Sequence, residues 1–320
     1  MSITLPNSPF IYMAPLRGVT DALFRRIYTR HFSGVDAAIA PFINLQPQAI
    51  LSGELLKDII PEVNVFGLKL IPQILNSNAD DFLAAAARIH DLGYEEINWN
   101  LGCPAPMVAK KKKGSGLLPY PDEIESLLEK VLPRLKTRLS IKMRLGYRDY
   151  EESMELLPRL NKYPLTEIII HPRLGIQLYK GKASPEHFSL RMDHTRHTLV
   201  YNGDIVSLKS FAELQGKLPG IDRWMVGRGL IADPLLPEKI KGINISEDQK
   251  QKRLISFHDE LYAAMKHHLS GPGHLLGRMK QIWPYFIESF PVKKKQLKKI
   301  IKAPTEAKYL EAVEAVTSEE

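Results

Sequence analysis

The chain has 320 residues, 44% hydrophobic and 25% charged, with a net charge of +8 at pH 7, which is enough for one large soluble domain and a smaller one. Its single cysteine excludes an internal disulfide and any metal cluster built from several thiolates, and it fits a reducing compartment, so a cytoplasmic location is expected. No stretch approaches the roughly 18 apolar residues of a membrane helix, and residues 1–9 lack the basic start and apolar run of a secretory signal, so neither a membrane partner nor export is expected.

Taken in order, residues 1–240 alternate short apolar, β-branched runs with helical patterns. Strands are predicted over 10–15, 35–40, 70–75, 96–100, 140–144, 167–171, 198–202 and 223–227. Helices separate them, for example over 21–31, 79–90, 122–135, 151–161 and 207–215. This alternation predicts an α/β fold, a (β/α)8 TIM barrel, with a doubly wound sheet as the second reading because periodicity alone does not show closure. Beyond Pro237 the strands stop, and helices are expected over 247–269, 275–290 and 296–301, with Gly271-Pro272-Gly273 and Pro291 as breaks. The chain thus divides into a catalytic barrel, 1–240, and a small all-α domain, 241–320. Charge follows the same division. Residues 241–309 hold 14 Lys and Arg against 6 Asp and Glu, whereas residues 1–240 hold 30 against 26, so a polyanion, with nucleic acid first, is the expected partner of the helical part.

The chemistry is expected around Asn98-Trp99-Asn100-Leu101-Gly102-Cys103-Pro104, where the fourth predicted strand ends in a turn holding the only cysteine. Such folds place ligands beyond the C-terminal ends of their strands. Reading those ends alone gives Ala14 and Pro15, Gln73, Asn100 with Cys103, Lys142, His171 with Arg173, Asn202-Gly203-Asp204, and Gly227-Arg228-Gly229. The set suits a flavin. The amides of Gln73 and Asn100 can bond the polar edge of an isoalloxazine ring, Ala14 and Pro15 offer flat backbone, and Lys142 and His171 can face the charge of a reduced ring. Gly203 and Gly227, with Arg228 as counter-ion, lie in the loops where such barrels often hold phosphate, which predicts FMN. Each residue has a plainer reading: Lys142 as a solvated charge, Gln73 as a loop brace, His171 as a strand cap, Asp204 as a turn brace. Their joint occurrence carries the functional reading. No metal site is expected, since His194, His197, His267 and His268 lack accompanying ligands.

These stretches resemble one family. Met13-Ala14-Pro15-Leu16-Arg17-Gly18-Val19-Thr20-Asp21 with Phe24-Arg25, Asn100-Leu101-Gly102-Cys103-Pro104 followed by Gly114-Ser115-Gly116-Leu117-Leu118, Ile141-Lys142-Met143-Arg144, and His171-Pro172-Arg173 with Gln177 and Tyr179 are similar to motifs of the tRNA-dihydrouridine synthases. Asn202-Gly203-Asp204-Ile205 and Gly227-Arg228-Gly229 complete the series, and Arg278-Met279-Lys280-Gln281 with Trp283 and Tyr285 is similar to the helical domain of the branch acting on position 16. The resemblance implies that NADPH reduces FMN, that hydride passes to C6 of a flipped-out uridine of tRNA, and that Cys103 protonates C5. It implies that Lys142 and His171 contact the flavin, with Arg173 close by on the RNA side, and that nicotinamide and RNA use the same flavin face in alternation. The alternative readings are a small-molecule FMN oxidoreductase and a non-catalytic RNA-binding barrel, and a monomer is expected. Two lysine groups, Lys110 and Lys111 through Lys113, and Lys293, Lys294 and Lys295 with Lys298, Lys299 and Lys302, gain significance beside such a site as phosphate contacts. Arg278 and Lys280 next to Trp283 and Tyr285 interleave charge with aromatics as RNA-binding surfaces do, although for the two aromatics a place in the helix core is nearly as good a reading.

Overall fold

The computed structural model describes residues 8–43, 53–64, 67–291 and 294–318. Within them lie nine parallel strands: β1 (Phe10–Met13), β2 (Ala37–Ile39), β3 (Lys69–Ile71), β4 (Gln73–Ile74), β5 (Glu96–Leu101), β6 (Arg138–Gly146), β7 (Leu165–Leu174), β8 (Leu199–Tyr201) and β9 (Arg223–Val226). They pair in the order β3-β2-β1-β9-β8-β7-β6-β5-β4. The two ends of this order, β3 and β4, are consecutive in the chain and flank Pro72, whose missing N–H interrupts the ladder. One bent strand therefore pairs with β2 on one side and β5 on the other, and the backbone N–H of Asn98 donates to the Pro72 carbonyl at 2.8 Å. The sheet closes on itself as the eight-stranded barrel that the sequence predicts.

Strand alternation then sorts side chains between two cores. In β5, Ile97, Trp99 and Leu101 join the large apolar layer beneath the helices, while Glu96, Asn98 and Asn100 point into the lumen and bond Lys69, Gln73 and Ser140. A second, smaller apolar cluster of Tyr12, Ala14, Ala37, Ile39, Ile71, Ile169, Val200 and Met225 fills the rest of the lumen. The outer layer supplies most of the stability, at about 1.5–3 kcal/mol for each fully buried large aliphatic side chain.

The crossover helices include α1 (Ala22–His31), α2 (Ala79–Asp91), α3 (Pro121–Val131), α4 (Glu151–Leu160) and α5 (Leu208–Lys217). Side-chain caps start several of them: Asp21 accepts from the N–H of Phe24 before α1, and Asn78 from that of Asp81 before α2. After the barrel come α6 (Glu247–His268), α7 (Gly271–Phe286), α8 (Lys294–Lys302) and α9 (Glu306–Thr317). Two departures from the sequence reading occur here. Gly271-Pro272-Gly273 opens α7 instead of lying outside it, since proline fits the first turn, where its missing N–H has no partner to lose. Helix α9 was not predicted, yet it buries Tyr309, Ala312, Val313 and Val316 along one face and is capped by Thr305.

The apolar residues of this helical segment are continuous with the barrel's outer core, and polar contacts add to that grip. The Trp283 indole N–H and the His258 ring both bond the Tyr309 hydroxyl at 2.8 Å. Phe257 of α6 packs edge-on against Phe24 and Phe32 at 5.6 and 5.1 Å. Around that apolar contact, Glu260 bonds Arg30 and His31, and Arg253 bonds Glu238 and the His31 carbonyl. Among the described residues no helix is long and apolar enough to cross a membrane.

Candidate active site

A cleft of about 560 Å³, counting its open mouth, lies at the C-terminal ends of β1 and β6 to β9. Its walls include Ala14, Pro15, Lys142, His171, Asn202, Gly203, Asp204, Gly227, Arg228 and Gly229, ten positions singled out from the sequence, together with Leu16 and Tyr179. The close approach of the loops explains their glycines. A Cβ on Gly229 would lie 1.9 Å from the Ile205 carbonyl oxygen, and one on Gly203 would lie 2.7 Å from the Ala183 Cβ. Only bare backbone lets these loops share one rim.

Charge is organised behind this wall. Asp204, held at φ +45°, accepts from Arg173 at 2.6 Å and from the Ala183 N–H at 2.8 Å with one oxygen, and from Arg228 at 3.1 Å with the other. Arg173 also donates to His171 Nε2 at 2.9 Å, so the imidazole proton sits on Nδ1. Burial, reinforced by Arg144, Lys142, Arg173 and Arg228, pushes the His171 pKa well below the ordinary histidine value and keeps the ring neutral. Lys142 is lowered to about 7, chiefly by burial with Arg144 adding repulsion. The expectation that Arg173 touches RNA does not fit this geometry, because the residue is only 2% exposed and braces His171 and Asp204 from behind.

Gln73, Asn100 and Cys103 lie outside the lining of this cleft. Gln73 is fully buried, donates to Asn98 at 2.7 Å and accepts from Asn100 at 2.8 Å. The Asn100 amide oxygen accepts from the backbone N–H of Gly102 at 3.0 Å and of Cys103 at 2.8 Å. In this arrangement the two amides build the cysteine turn and leave the cleft wall to other residues. The carbonyl of Cys103 is gripped by the N–H and hydroxyl of Ser115, both at 3.0 Å, and a Cβ on Gly114 would lie 2.7 Å from that carbonyl oxygen. Burial pushes the Cys103 thiol above its ordinary value, against the opposing pull of Arg144, Arg17 and Lys142. The thiol is therefore protonated at neutral pH.

Arg144 and Tyr179 were not singled out as site residues, although both stand in the quoted motifs. The Arg144 guanidinium, lowered to about 10 mainly by burial, donates to the Gly102 carbonyl at 3.1 Å and to Leu174 at 2.7 Å. Tyr179 is half exposed at the mouth, with the guanidinium carbons of Arg144 and Arg228 at 5.4 and 5.3 Å from its ring centre. Strand period was the available signal: Arg144 follows Lys142, and Arg173 follows His171, by two positions on one face.

Elsewhere the expected RNA contacts divide. Lys110 and Lys111 are exposed in the turn that ends the short helix Pro106–Ala109, and Lys295, Lys298, Lys299 and Lys302 are exposed on α8. Lys293 lies outside the described residues, and Lys294 is described only as the first residue of α8. Arg278 bonds the Gly18 carbonyl and Asp21, and Lys280 bonds the Ala303 carbonyl, so both are engaged within the protein. Trp283 is buried in the helical core, and Tyr285 packs against it.

Comparison with known proteins agrees with this arrangement. The family described as dihydrouridine synthase (Dus) matches residues 12–319. A tRNA-dihydrouridine(16) synthase of Neisseria meningitidis serogroup B is 29% identical over 72% of this chain and 71% of that protein. The enzyme of the same name from Aquipseudomonas alcaligenes is 25% identical over 88% and 91%, and a probable tRNA-dihydrouridine synthase of Staphylococcus epidermidis is 31% identical over 74% and 73%. Among solved structures, Old Yellow Enzyme from Pichia shares the fold at 12% identity, with a TM-score of 0.52 over 77% of this chain and 86% of that one. With the family profile spanning barrel and helical segment alike, the chain belongs to the dihydrouridine synthase family of oxidoreductases.

Proposed function

We propose that this protein reduces a uridine of tRNA to 5,6-dihydrouridine, using FMN bound in the barrel-mouth cleft and NADPH as reductant. The observation that carries the reading is a cleft walled by Lys142, His171 and Arg228, with Cys103, its backbone carbonyl held by Ser115, near enough to Lys142 for the two groups to interact electrostatically.

The residues present fit FMN. Glycine-edged loops with Arg228 suit a phosphate, and Ala14 and Pro15 form a flat wall for a ring. Lys142 and the Nδ1–H of His171 are donors for its polar edge. Bound there, FMN would accept hydride from NADPH and deliver hydride to C6 of the uracil. Cys103 gives its proton to C5, so the C5–C6 double bond becomes single, and the thiolate left behind takes a proton from solvent. Because burial holds the thiol protonated, it is a competent acid at neutral pH without a partner base. Lys142 offers positive charge where a reduced ring carries negative charge. The uracil must leave its stack to enter the cleft, which costs a few kcal/mol and favours a loop nucleotide. Lys110 and Lys111, which are exposed, would hold flanking phosphates.

The test is Cys103→Ala. It should keep its flavin and oxidise NADPH with oxygen as before, while losing at least about a hundredfold in dihydrouridine formation, the usual scale of a lost general acid. Position 16 is the nucleotide to map first, since relatives carry it in their names. Unchanged product formation in the variant would move the proton donor elsewhere.

A further inference from the structure

One contact set joins the helical segment to the cleft wall. On α7, Arg278 donates to the Gly18 carbonyl and to the Asp21 carboxylate. A Cβ on Gly18, which sits at φ +78°, would lie 3.2 Å from Gln281 Oε1 and 3.4 Å from Arg278 Nη1. Two residues one turn apart on α7 thus rest on the open face of that glycine. From there the turn is cross-braced inward. Thr20 Oγ1 accepts from the Leu16 N–H at 2.8 Å and donates to the Ala14 carbonyl at 3.1 Å, and Arg25 holds the Thr20 carbonyl at 2.7 Å. Asp21 uses its other oxygen to cap α1. Ala14, Pro15 and Leu16, the near end of this braced turn, are cleft wall.

We propose that Arg278 is a positioning residue which, from the helical segment, fixes the 14–21 turn in the shape that walls the cofactor cleft. Segment and cleft then act as one unit, and a change at α7 reaches the flavin without touching it. The physical basis is that Arg278 and Asp21 have side chains only 20% and 24% exposed, so removing the guanidinium leaves a largely desolvated carboxylate with its helix-cap bond alone. The proposal rests on the FMN reading for its functional consequence, but its structural core does not depend on which ligand binds.

Two readouts on the full chain test it. In flavin-free protein, amide hydrogen exchange over residues 14–21 should speed up at least about tenfold in Arg278→Met, with α5 unchanged. FMN titration should show a roughly tenfold weaker Kd in the same variant, and Arg278→Lys, which keeps charge but not the two-pronged contact, should fall between. Wild-type exchange and wild-type FMN affinity in Arg278→Met, accompanied by a raised KM for tRNA, would overturn the proposal and make Arg278 an RNA contact alone. Failure of the wild-type chain to take up FMN would instead overturn the cofactor reading, while the exchange result would still decide the structural role of Arg278.

Discussion

Cys103 and Lys142 show how one rim can hold two ionisable groups in different states. Burial favours the neutral form of each, and for a thiol that means protonated while for an amine it means uncharged above about 7. A pH dependence follows. Below pH 7 Lys142 is already charged and ready for an anionic ring edge; above it, binding must take up a proton, so affinity is lost as pH rises through the free value. FMN affinity should therefore fall roughly fiftyfold between pH 7 and pH 9, and Lys142→Met should bind more weakly with that slope removed. A wild-type profile as flat as the variant's would contradict the assignment. At this scale the sequence was most legible where chemistry is unambiguous: ten of the expected positions line one cleft. It was least legible for Gln73, Asn100 and Arg173. An amide or a guanidinium bonds a ligand and a neighbouring backbone with the same groups, and which partner it meets is decided by packing from other strands.

The strands and loops show a similar division. The eight alternating runs were legible because the outward face of each strand must be apolar under a helix, as Ile97, Trp99 and Leu101 are. The break at Pro72 was not, since it needs both neighbours of that strand to be known. Helix α9 lay outside the predicted helices, although its buried residues Tyr309, Ala312, Val313 and Val316 recur at helical spacing. Close loop packing gives a paired stability prediction. Gly229→Ala has no room beside the Ile205 carbonyl and should cost about 1–3 kcal/mol or more and weaken FMN binding. Gly216→Ala, on exposed α5 with nothing within 4 Å, should instead stabilise by about 0.5–1 kcal/mol. Thermal or denaturant unfolding of both variants checks the pair, and equal effects would contradict the packing argument.

Over the whole molecule, the charge excess of residues 241–309 appears as exposed lysines on α8, and a second group, Lys110 and Lys111, is exposed after Cys103. If both contact one tRNA, affinity depends steeply on salt. Replacing Lys295, Lys298 and Lys299 together by glutamine should lower the slope of log affinity against log salt by about 2 to 3, since each lost phosphate contact removes roughly 0.7–0.9. An unchanged slope would place the RNA elsewhere. The barrel and its helical segment share the Phe257 contact and the ion pairs of Glu260 and Arg253, which suits an enzyme whose RNA must be held in a fixed relation to its cofactor. The central claim is best tested by an anaerobic absorbance experiment on the purified protein. Flavin bands that bleach with NADPH and return faster when unmodified tRNA is added, with one dihydrouridine formed per flavin reoxidised, are the predicted result. A flavin that bleaches but stays reduced in the presence of tRNA, or a protein that carries and binds none, would contradict it.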